Sequence, residues 1–319
     1  MIARERTGGP PTRDERGFAL VAVLLVLALL GILGAEFAYS MRIEASAARA
    51  WRDNMGAAHL AEAGVEQALR EIAGDIAFAT IVADGFVTFF TRDRLPVARL
   101  PRTRARLGFG EFSYTITDEQ ARININTSVS TPDRLDKLLQ CLGVDKITRD
   151  PIVDAIVDWV DANEDHRANG AESEDYYLKL PTPYRARNAP LESVSELLQI
   201  KGITQALYEG VGTKPGLVDV VTVRGPGQVN VNTAGPVVFC AMGVSDAEIA
   251  EITQGRREAP YTTVPGRLAG RGFVATTQTF RIDAEGLVDG KPRAKVTTIV
   301  QKRNAIDNPF VFQEWSGVR

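Results

Sequence analysis

The feature that most constrains this 319-residue chain is an apolar run near its N-terminus, from Phe18 to Ala35, that holds no charged residue. About 18 residues at 1.5 Å each reach roughly 27 Å, which is close to the thickness of the hydrocarbon core of a bilayer. Four arginines precede the run, and the first basic residue after it is Arg42. Because basic residues stay cytoplasmic, the run predicts a single-pass membrane anchor with the bulk of the chain outside.

The helix predicted for the apolar run continues beyond it. Residues 36–73 contain no proline and only two glycines, and they are rich in Ala, Glu, Arg and Leu. Apolar residues recur at helical spacing from Leu60 to Ile72. We therefore predict one helix of roughly 55 residues, whose first third lies in the membrane and whose last third packs on a soluble domain.

Composition excludes several classes of function. The net charge of −3 provides no global attraction to nucleic acid or anionic lipid. With two histidines and only Cys141 and Cys240, a disulfide-dense scaffold is excluded and a Cys/His zinc site is disfavoured. One disulfide is compatible with an oxidising compartment, and the spacing leaves open whether these cysteines pair.

Strand-rich segments flank a helical middle. Residues 85–92, 110–126 and 275–303 show partial alternation of apolar and polar residues, and a turn is predicted at Asp289-Gly290. The mostly helical residues 127–272 lie between them. An α-rich block within a β frame predicts an inserted domain.

The helical middle contains an internal echo. The sequence RININTS at 122–128 is matched by QVNVNTA at 228–234, and each leads into a helical segment with a cysteine. Alternating apolar and Asn residues suit short strands, and Thr127 and Thr233 are candidate helix caps. The echo predicts a duplicated small unit.

Residues 191–211 look like a helix–hairpin–helix, which suggests an alternative function in nucleic-acid binding. In DNA-binding hairpins, a turn with two glycines brings backbone N–H groups to a phosphate. Here the turn at Gly202-Ile203-Thr204 lacks the second glycine, and no basic residue follows Lys201 until Lys214. Residues 154–175 carry eight carboxylates against one arginine and would repel phosphate. Helical packing is the preferred explanation, and no nucleic-acid partner is expected.

The acidic stretch begins on a predicted helix. Asp150-Pro151 is typical of a helix start, with Asp as cap and Pro at the first position. Asp154, Asp158 and Asp161 follow at spacings that place them on one face. The opposite face is apolar and predicted to be buried, with Ile152, Val153, Ile156, Val157 and Val160.

The residues after this helix have the composition of a cation site. Asp161, Asn163 and Asp165 place oxygens at alternate positions as calcium loops do, although no glycine follows Asp165 as in an EF-hand. Calcium takes six to eight oxygen ligands, and crowded carboxylates repel one another unless a cation offsets their charge. On composition alone, a calcium site and a solvated acidic loop are equally supported.

The N-terminal stretch, RG before FALVAVLLVLALLGILGAEF, resembles a type IV prepilin-like leader. In that family, a dedicated prepilin peptidase cuts before the apolar run and the new N-terminus is methylated. The resemblance implies cleavage between Gly17 and Phe18 and methylation of Phe18, and it explains why no small-x-small site ends the run. The family's usual glutamate at the fifth mature position is Ala22 here, which is characteristic of the K minor pseudopilins of type II secretion.

The acidic stretch resembles the same K branch, the general secretion pathway protein K family. The matching residues are Asp158-Trp159-Val160-Asp161, Asn169-Gly170-Ala171-Glu172, Tyr176-Tyr177, Pro183-Tyr184-Arg185 and Asn188-Ala189-Pro190-Leu191. The resemblance implies calcium in the helical insertion. The expected ligands are Asp161, Asp165, Glu172 and Asp175, with Asn163 and Asn188 as further candidates.

The resemblance also implies a fold. We expect an α+β protein with a pilin-like long N-terminal helix packed on an antiparallel sheet and a large inserted α-helical domain of helix–hairpin–helix or SAM-like type. The expected segments are a leader (1–17), the membrane part of the helix (18–35), the pseudopilin helix and first strands (36–126), the inserted domain with its calcium loop (127–272) and the C-terminal strands (273–319).

The implied function is that of a minor pseudopilin in the inner membrane, with most of the chain in the periplasm. It would cap the tip of the type II secretion pseudopilus and support export of folded proteins across the outer membrane. The implied partners are the minor pseudopilins I, J and H and the prepilin peptidase. No enzymatic role is expected, and a membrane-tethered metallohydrolase using the acidic cluster is the enzymatic alternative.

Overall fold

The computed structural model describes residues 13–74, 76–81, 85–303, 305, 307 and 309–317, with side chains from Phe18 onward. Residues 1–12 of the predicted leader lie outside the described residues, and Gly17 lies within the first helix. The chain divides into two compact units, Met1–Met55 and Gly56–Arg319.

The helices and strands follow in chain order. The α-helices are α1 (Arg13–Ala73), α2 (Ile125–Ser128), α3 (Pro132–Cys141), α4 (Lys146–Val160), α5 (Gln205–Glu209), α6 (Leu217–Val220), α7 (Pro236–Ala241) and α8 (Asp246–Glu258). The strands are β1 (Phe78–Ile81), β2 (Val87–Phe90), β3 (Ala105–Leu107), β4 (Gly110–Asp118), β5 (Ile123–Asn124), β6 (Gly210–Val211), β7 (Lys214–Pro215), β8 (Val221–Thr222), β9 (Val229–Asn230), β10 (Phe273–Val274), β11 (Thr279–Val288), β12 (Lys291–Lys302) and β13 (Phe310–Gly317). Short 3₁₀ helices lie at Glu119–Ala121, Tyr177–Lys179, Val194–Gln199 and Gly266–Leu268.

Helix α1 confirms the prediction of one long N-terminal helix. It has 61 residues, more than predicted, because it begins before Phe18. Within the described part of the chain, it is the one helix long and apolar enough to cross a membrane, and none of its most apolar window is buried. A soluble core helix would bury such a window, so its exposure fits a single-pass membrane anchor.

In the second unit, the C-terminal part of α1 packs on a five-stranded antiparallel sheet with the strand order β13-β12-β11-β4-β3. Small residues allow the close approach. A side chain at Gly286 would overlap the carbonyl of Ala57, and Ala61 is fully buried against the same core. The predicted turn between β11 and β12 is confirmed, since Asp289 and Gly290 both have positive φ angles of 54° and 71°.

The helical insert has a hydrophobic core of its own, drawn from residues between Ile123 and Ala275. The chain leaves the sheet at Asp118 and returns at Thr279, and β4 pairs directly with β11. This end of the sheet lies near the C-terminal end of α1, where Lys302 Nζ donates to the carbonyl of Ile72 at 2.7 Å. The insert therefore leaves the sheet at the end opposite Gly56.

Two copies of one small unit make up the insert, in agreement with the sequence echo. In the first copy, residues 122–223, the entering strand β5 pairs in parallel with the closing strand β8. In the second copy, residues 228–275, β9 pairs in parallel with β10 in the same way. Each copy thus begins and ends at one parallel bridge.

Equivalent asparagines close the two copies. Asn126 donates to the carbonyl of Leu191 at 2.9 Å and accepts from its backbone N–H at 2.8 Å. Asn232 makes the same pair of bonds with Tyr261, at 2.9 and 2.8 Å. These bonds identify Leu191 and Tyr261 as equivalent positions.

The predicted helix caps were wrong. The N-cap of α2 is Asn124, whose side chain accepts from the N–H of Thr127. The side chain of Thr233 instead donates to Asp118 at 2.6 Å, and Gly235 precedes α7. A long-range acceptor outcompetes the local capping role of this threonine.

The predicted start of α4 was also wrong. The helix begins at Lys146 and its N-cap is Asp145, whose side chain accepts from the N–H of Thr148 at 3.1 Å. Pro151 lies inside the helix. The satisfied cap at Asp145 starts the helix earlier, and the helix continues through the proline.

Two buried carboxylates fasten the insert to the sheet. Asp118 is buried, and it accepts from side chains of the second copy and from Thr277 Oγ1 at 2.6 Å. Burial raises the pKa of Asp118, while these hydrogen bonds act in the opposite direction. Burial also opposes the charged form of Glu119, but Arg281 at 2.9 Å and Arg122 at 2.7 Å outweigh it and hold the pKa of Glu119 below its usual value.

A disulfide joins the two copies, which settles the pairing that the sequence left open. Cys141 at the end of α3 bonds Cys240 in α7, with their Cα atoms 6.1 Å apart. The cross-link spans 99 residues of sequence and ties together two helices that also pack on each other.

We predict that the Cys141→Ser/Cys240→Ser double variant unfolds at lower urea concentration than the wild type, with a loss of about 2–4 kcal/mol, because the cross-link restricts the unfolded chain. Denaturation of the detergent-solubilised chain, with and without dithiothreitol, measures this. The reductant should shift the wild type toward the variant and leave the variant unchanged. The prediction would be contradicted if dithiothreitol reduced the disulfide of the wild type without lowering its stability.

Candidate metal centre

The acidic loop, residues 161–188, folds back over the carboxylate face of α4. Asp158 is fully buried and accepts from the backbone N–H groups of Arg167 at 3.1 Å and Ala171 at 2.9 Å. Gly170 lies against this carboxylate, and a side chain there would overlap it. The prediction that the apolar face of α4 is buried is confirmed, and on its carboxylate face Asp158 is buried while Asp154 and Asp161 stay half-buried.

The second copy shows that the acidic loop is an addition to the basic unit. In that copy, α8 ends at Glu258 and Tyr261 follows three residues later. In the first copy, α4 ends at Val160, but the equivalent Leu191 follows only after the whole loop. A unit of this kind therefore closes without the loop.

Hydrogen bonds link Asp161, Asn163 and the backbone of Asp165 along the loop. Asn163 Nδ2 donates to Asp161 Oδ1 at 2.8 Å, and Asn163 Oδ1 accepts from the N–H of Asp165 at 2.8 Å. Asn188 joins them from the far end of the loop, because its Nδ2 donates to the carbonyl of Asn163 at 3.0 Å. It also donates to Glu164 Oε1 at 3.2 Å.

Glu172 is the most unusual of the predicted ligands. Its side chain is only 1% exposed, and neither carboxylate oxygen has a hydrogen-bond partner. Burial, and then the negative charges of Asp158, Glu164, Asp161 and Asp175, raise its pKa to about 7. An uncompensated buried carboxylate is costly, so these oxygens are suited to a cation.

Two further residues of the loop, Asn188 and Asp175, carry oxygens of the kind that bind a hard cation. Asn188 Oδ1 is buried without a partner, and Asn188 has a positive φ of 47°. Asp175 lies beside Glu172, since its Oδ1 accepts from the N–H of Glu172 at 2.8 Å. Carboxylate and amide oxygens form the donor set that hard cations such as calcium prefer.

The carboxylates do not converge by themselves. Among the residues that the structure describes, no group of three or more His, Cys, Asp or Glu side chains is arranged to hold a metal ion. Glu172 and Asn188 supply buried oxygens without hydrogen-bond partners, and carboxylate and amide oxygens are ligand types that calcium accepts. The ligand set predicted from the sequence did not include Glu164 and Asp158, whose negative charges lie close enough to Glu172 to raise its pKa. Helical spacing alone placed Asp158 on the polar face and carried no signal that the loop would cover it.

Aromatic side chains from α4 and from the acidic loop pack against one another. Trp159 and Tyr177 are buried with ring centroids 5.1 Å apart, and Tyr184 lies 5.2 Å from Tyr177. The Oη of Tyr184 donates to the carbonyl of Gln199 at 2.7 Å, which connects the loop to the hairpin segment. Residues of the WVD, YY and PYR motifs thus form one core.

The hairpin does not present its lysine to a phosphate. Lys201 Nζ donates to the carbonyls of Asn169 at 3.1 Å and Gly170 at 2.8 Å, both in the acidic loop. Gly202, with a φ of 86°, packs against Ile152. These contacts favour the packing explanation of the motif over nucleic-acid binding.

The sequence is similar to those of several known proteins. A family model described as type II secretion system (T2SS), protein K, matches residues 118–212, which run from the buried junction through the acidic loop and hairpin. Type II secretion system protein K of Pseudomonas aeruginosa is 31% identical over 256 residues, covering 75% of this chain and 71% of that protein. This chain belongs to the type II secretion system protein K family. The protein K of Klebsiella pneumoniae is 28% identical over 91% of this chain and 93% of its own length.

A solved protein K structure shares the fold. A chain in the crystal structure of the GspK–GspI–GspJ complex from enterotoxigenic Escherichia coli matches with a TM-score of 0.55 and 17% identity, covering 69% of this chain and 84% of that one. The expected α+β, pilin-like fold with a long N-terminal helix, an antiparallel sheet and an additional helical region is therefore confirmed.

Proposed function

We propose that this member of the protein K family caps the tip of the type II secretion pseudopilus and supports export of folded proteins across the outer membrane, without catalysis. The position of the insert supports this proposal best. Helix α1 enters the second unit at Gly56, whereas the insert leaves the sheet at Asp118, near Ile72. A subunit stacked on that end of the sheet would collide with the insert.

The junction makes this obstruction rigid. Asp118 accepts from Asn230 Nδ2 at 2.7 Å and from Thr233 Oγ1 at 2.6 Å, so it binds the second copy directly. The side chain of Gln120 accepts from the N–H of Gln278 at 2.9 Å, which joins the outgoing and returning segments. The two segments that connect the insert to the sheet are hydrogen-bonded to each other, so the insert has little freedom to rotate away from the sheet.

Ala22 supports an end position independently. In pilin-like proteins a glutamate at this position is expected to meet the N-terminal amine of a neighbouring subunit, and an unpaired carboxylate in lipid costs roughly 2.5–3.5 kcal/mol on insertion scales. A terminal subunit has no neighbour above it to supply that pairing. Alanine avoids the cost.

The expected partners are the I and J minor pseudopilins of the same system, with H connecting them to the major fibre. This assignment extends to the present chain the assembly named for the related Escherichia coli structure, in which GspK is in complex with GspI and GspJ. The chain would be held in the inner membrane by the apolar part of α1, with its second unit in the periplasm.

We predict that the detergent-solubilised chain mixed with its I and J partners forms one discrete complex holding a single copy of this chain. Native mass spectrometry measures the stoichiometry. The Ala22→Glu variant, with Ala22→Gln as an uncharged control of similar size, should give the same stoichiometry because the insert still blocks stacking. Filaments of this chain alone, or its regular repetition along isolated pseudopili, would overturn the capping role.

Processing is expected at the boundary between Gly17 and Phe18. Mature chain extracted from cells with an active prepilin peptidase should begin at N-methylated Phe18, which intact-mass measurement detects. An uncut Met1, or an N-terminus after Ala35, would contradict the resemblance of the leader to a prepilin.

We further propose that the acidic loop binds calcium. Glu172 and Asn188 would hold the ion with their unpartnered buried oxygens, and the remaining ligands would come from Asp161, Asp165 and Asp175, with Asn163 as a further candidate. Bound calcium supplies positive charge that offsets the mutual repulsion of these carboxylates. The protein's part is to hold the loop in place on α4.

We predict that calcium stabilises the chain and that Glu172→Gln removes most of this stabilisation. A ligand at a hundredfold excess over Kd adds roughly 2.7 kcal/mol to the free energy of unfolding. At a pH above the Glu172 pKa of about 7, the neutral amide should raise Tm in chelator because it removes a buried charge without partners, whereas in calcium the variant should melt below the wild type. Thermal unfolding followed by tryptophan fluorescence measures both conditions.

Glu174→Gln is the matched control, because Glu174 is exposed and pairs only with Arg185 among the described contacts. It should retain the wild-type calcium shift. Identical Tm values for the wild type in calcium and in chelator would show that the loop is a solvated acidic segment.

A further inference from the structure

We propose that Lys201 of the hairpin is a positioning residue for the cation site, because its ammonium group holds the peptide carbonyls that precede Glu172. This inference rests on the proposed calcium binding. It assigns a role to the helix–hairpin–helix segment, which the capping function leaves unexplained.

The contacts of Lys201 are directed at one short stretch of the loop. Its Nζ lies 2.8 Å from the carbonyl oxygen of Gly170 and 3.1 Å from that of Asn169. The ammonium group also lies 5.0 Å from the ring centroid of Tyr176, and its backbone N–H donates to Tyr177 Oη at 3.2 Å. The lysine is thus held from two sides while it binds the loop.

The amides of the same stretch are held from the other side by α4. The N–H of Asn169 donates to Asp154 Oδ2 at 3.2 Å, and that of Ala171 donates to Asp158 Oδ2 at 2.9 Å. Carbonyls held by the hairpin and amides held by the helix leave this segment little freedom. Glu172 is the next residue, so the backbone that leads into it is held in place before any ion binds.

The charge of Lys201 is placed where it does not compete with the ion. Its described hydrogen bonds go to carbonyl oxygens, and no ion pair to a carboxylate is found for it among the described residues. A lysine paired with Glu172 would satisfy the ligand and exclude the cation. Here the orphaned oxygens of Glu172 stay available.

The acidic loop and the extended hairpin occur together in the first copy, which indicates that they act together. The first copy contains both the acidic loop and an extended hairpin, in which a 3₁₀ helix at Val194–Gln199 is followed by α5. In the second copy, only the 3₁₀ helix Gly266–Leu268 lies between Tyr261 and β10. The two additions to the first copy contact each other through Lys201.

The test compares Lys201→Met with Lys146→Met in the detergent-solubilised chain. Both changes remove one positive charge, but Lys146 is on the exposed face of α4 and pairs with Asp150 in the same helix. We expect Lys201→Met to raise the Kd for calcium, measured by titration calorimetry, by roughly 10- to 100-fold. A loss of this size is typical when a residue that supports the ligands of a metal site is removed. Lys146→Met should bind as the wild type does, and Lys201→Arg, which can donate to both carbonyls, should recover most of the affinity.

The outcomes separate this inference from the calcium proposal itself. A wild type that binds no calcium overturns both. A wild type that binds calcium, with Lys201→Met binding equally well, overturns the role of Lys201 alone. A merely structural lysine would lower Tm equally in calcium and in chelator, whereas a positioning lysine reduces the calcium-induced shift. Should Lys201→Met fail to fold, Lys201→Gln replaces it, and an unchanged Kd again refutes the role.

Discussion

The hydrogen-bonded carboxylate of Asp118, at the end of β4, holds the insert on the sheet. It accepts hydrogen bonds from both the second copy and Thr277 in the returning segment. Each donor left unsatisfied in a buried site would cost about 1–3 kcal/mol, so a displaced insert would lose several such bonds together. The capping proposal depends on this rigidity, because an insert that moved aside would let another subunit stack on the sheet.

The acidic loop surrounds two buried carboxylates that differ in their hydrogen bonding, Asp158 and Glu172. Asp158 is satisfied by the backbone N–H groups of Arg167 and Ala171, so its burial needs no metal. Glu172, 14 residues after Asp158, has no such donors. The loop therefore satisfies Asp158 with its own backbone, whereas the Glu172 oxygens are left without donors and are the ones that the calcium proposal assigns to a cation. Lys201 separates the two by holding the intervening peptide.

Local signals in the sequence predicted the elements well and their ends poorly. The apolar run and helical spacing of α1, the turn at Asp289-Gly290 and the echo of the two copies all appear in the structure. The caps at Thr127 and Thr233 and the helix start at Asp150-Pro151 were wrong. Thr233 bonds a carboxylate 115 residues away, and no local pattern can reveal that acceptor.

By itself, the sequence determined the N-terminal helix, the α+β frame, the family and the acidic composition of the loop, because each depends on residues close together along the chain. Tertiary structure alone decided the pairing of Cys141 with Cys240, the burial of Glu172 without partners and the contact of Lys201 with the loop. The disulfide joins the two copies across 99 residues of sequence, and the contact of Lys201 with Gly170 joins segments about 30 residues apart within the first copy, so only tertiary packing brings these groups together. Whether a carboxylate is solvated or awaits a cation depends on that packing, since burial removes the water that would otherwise satisfy it.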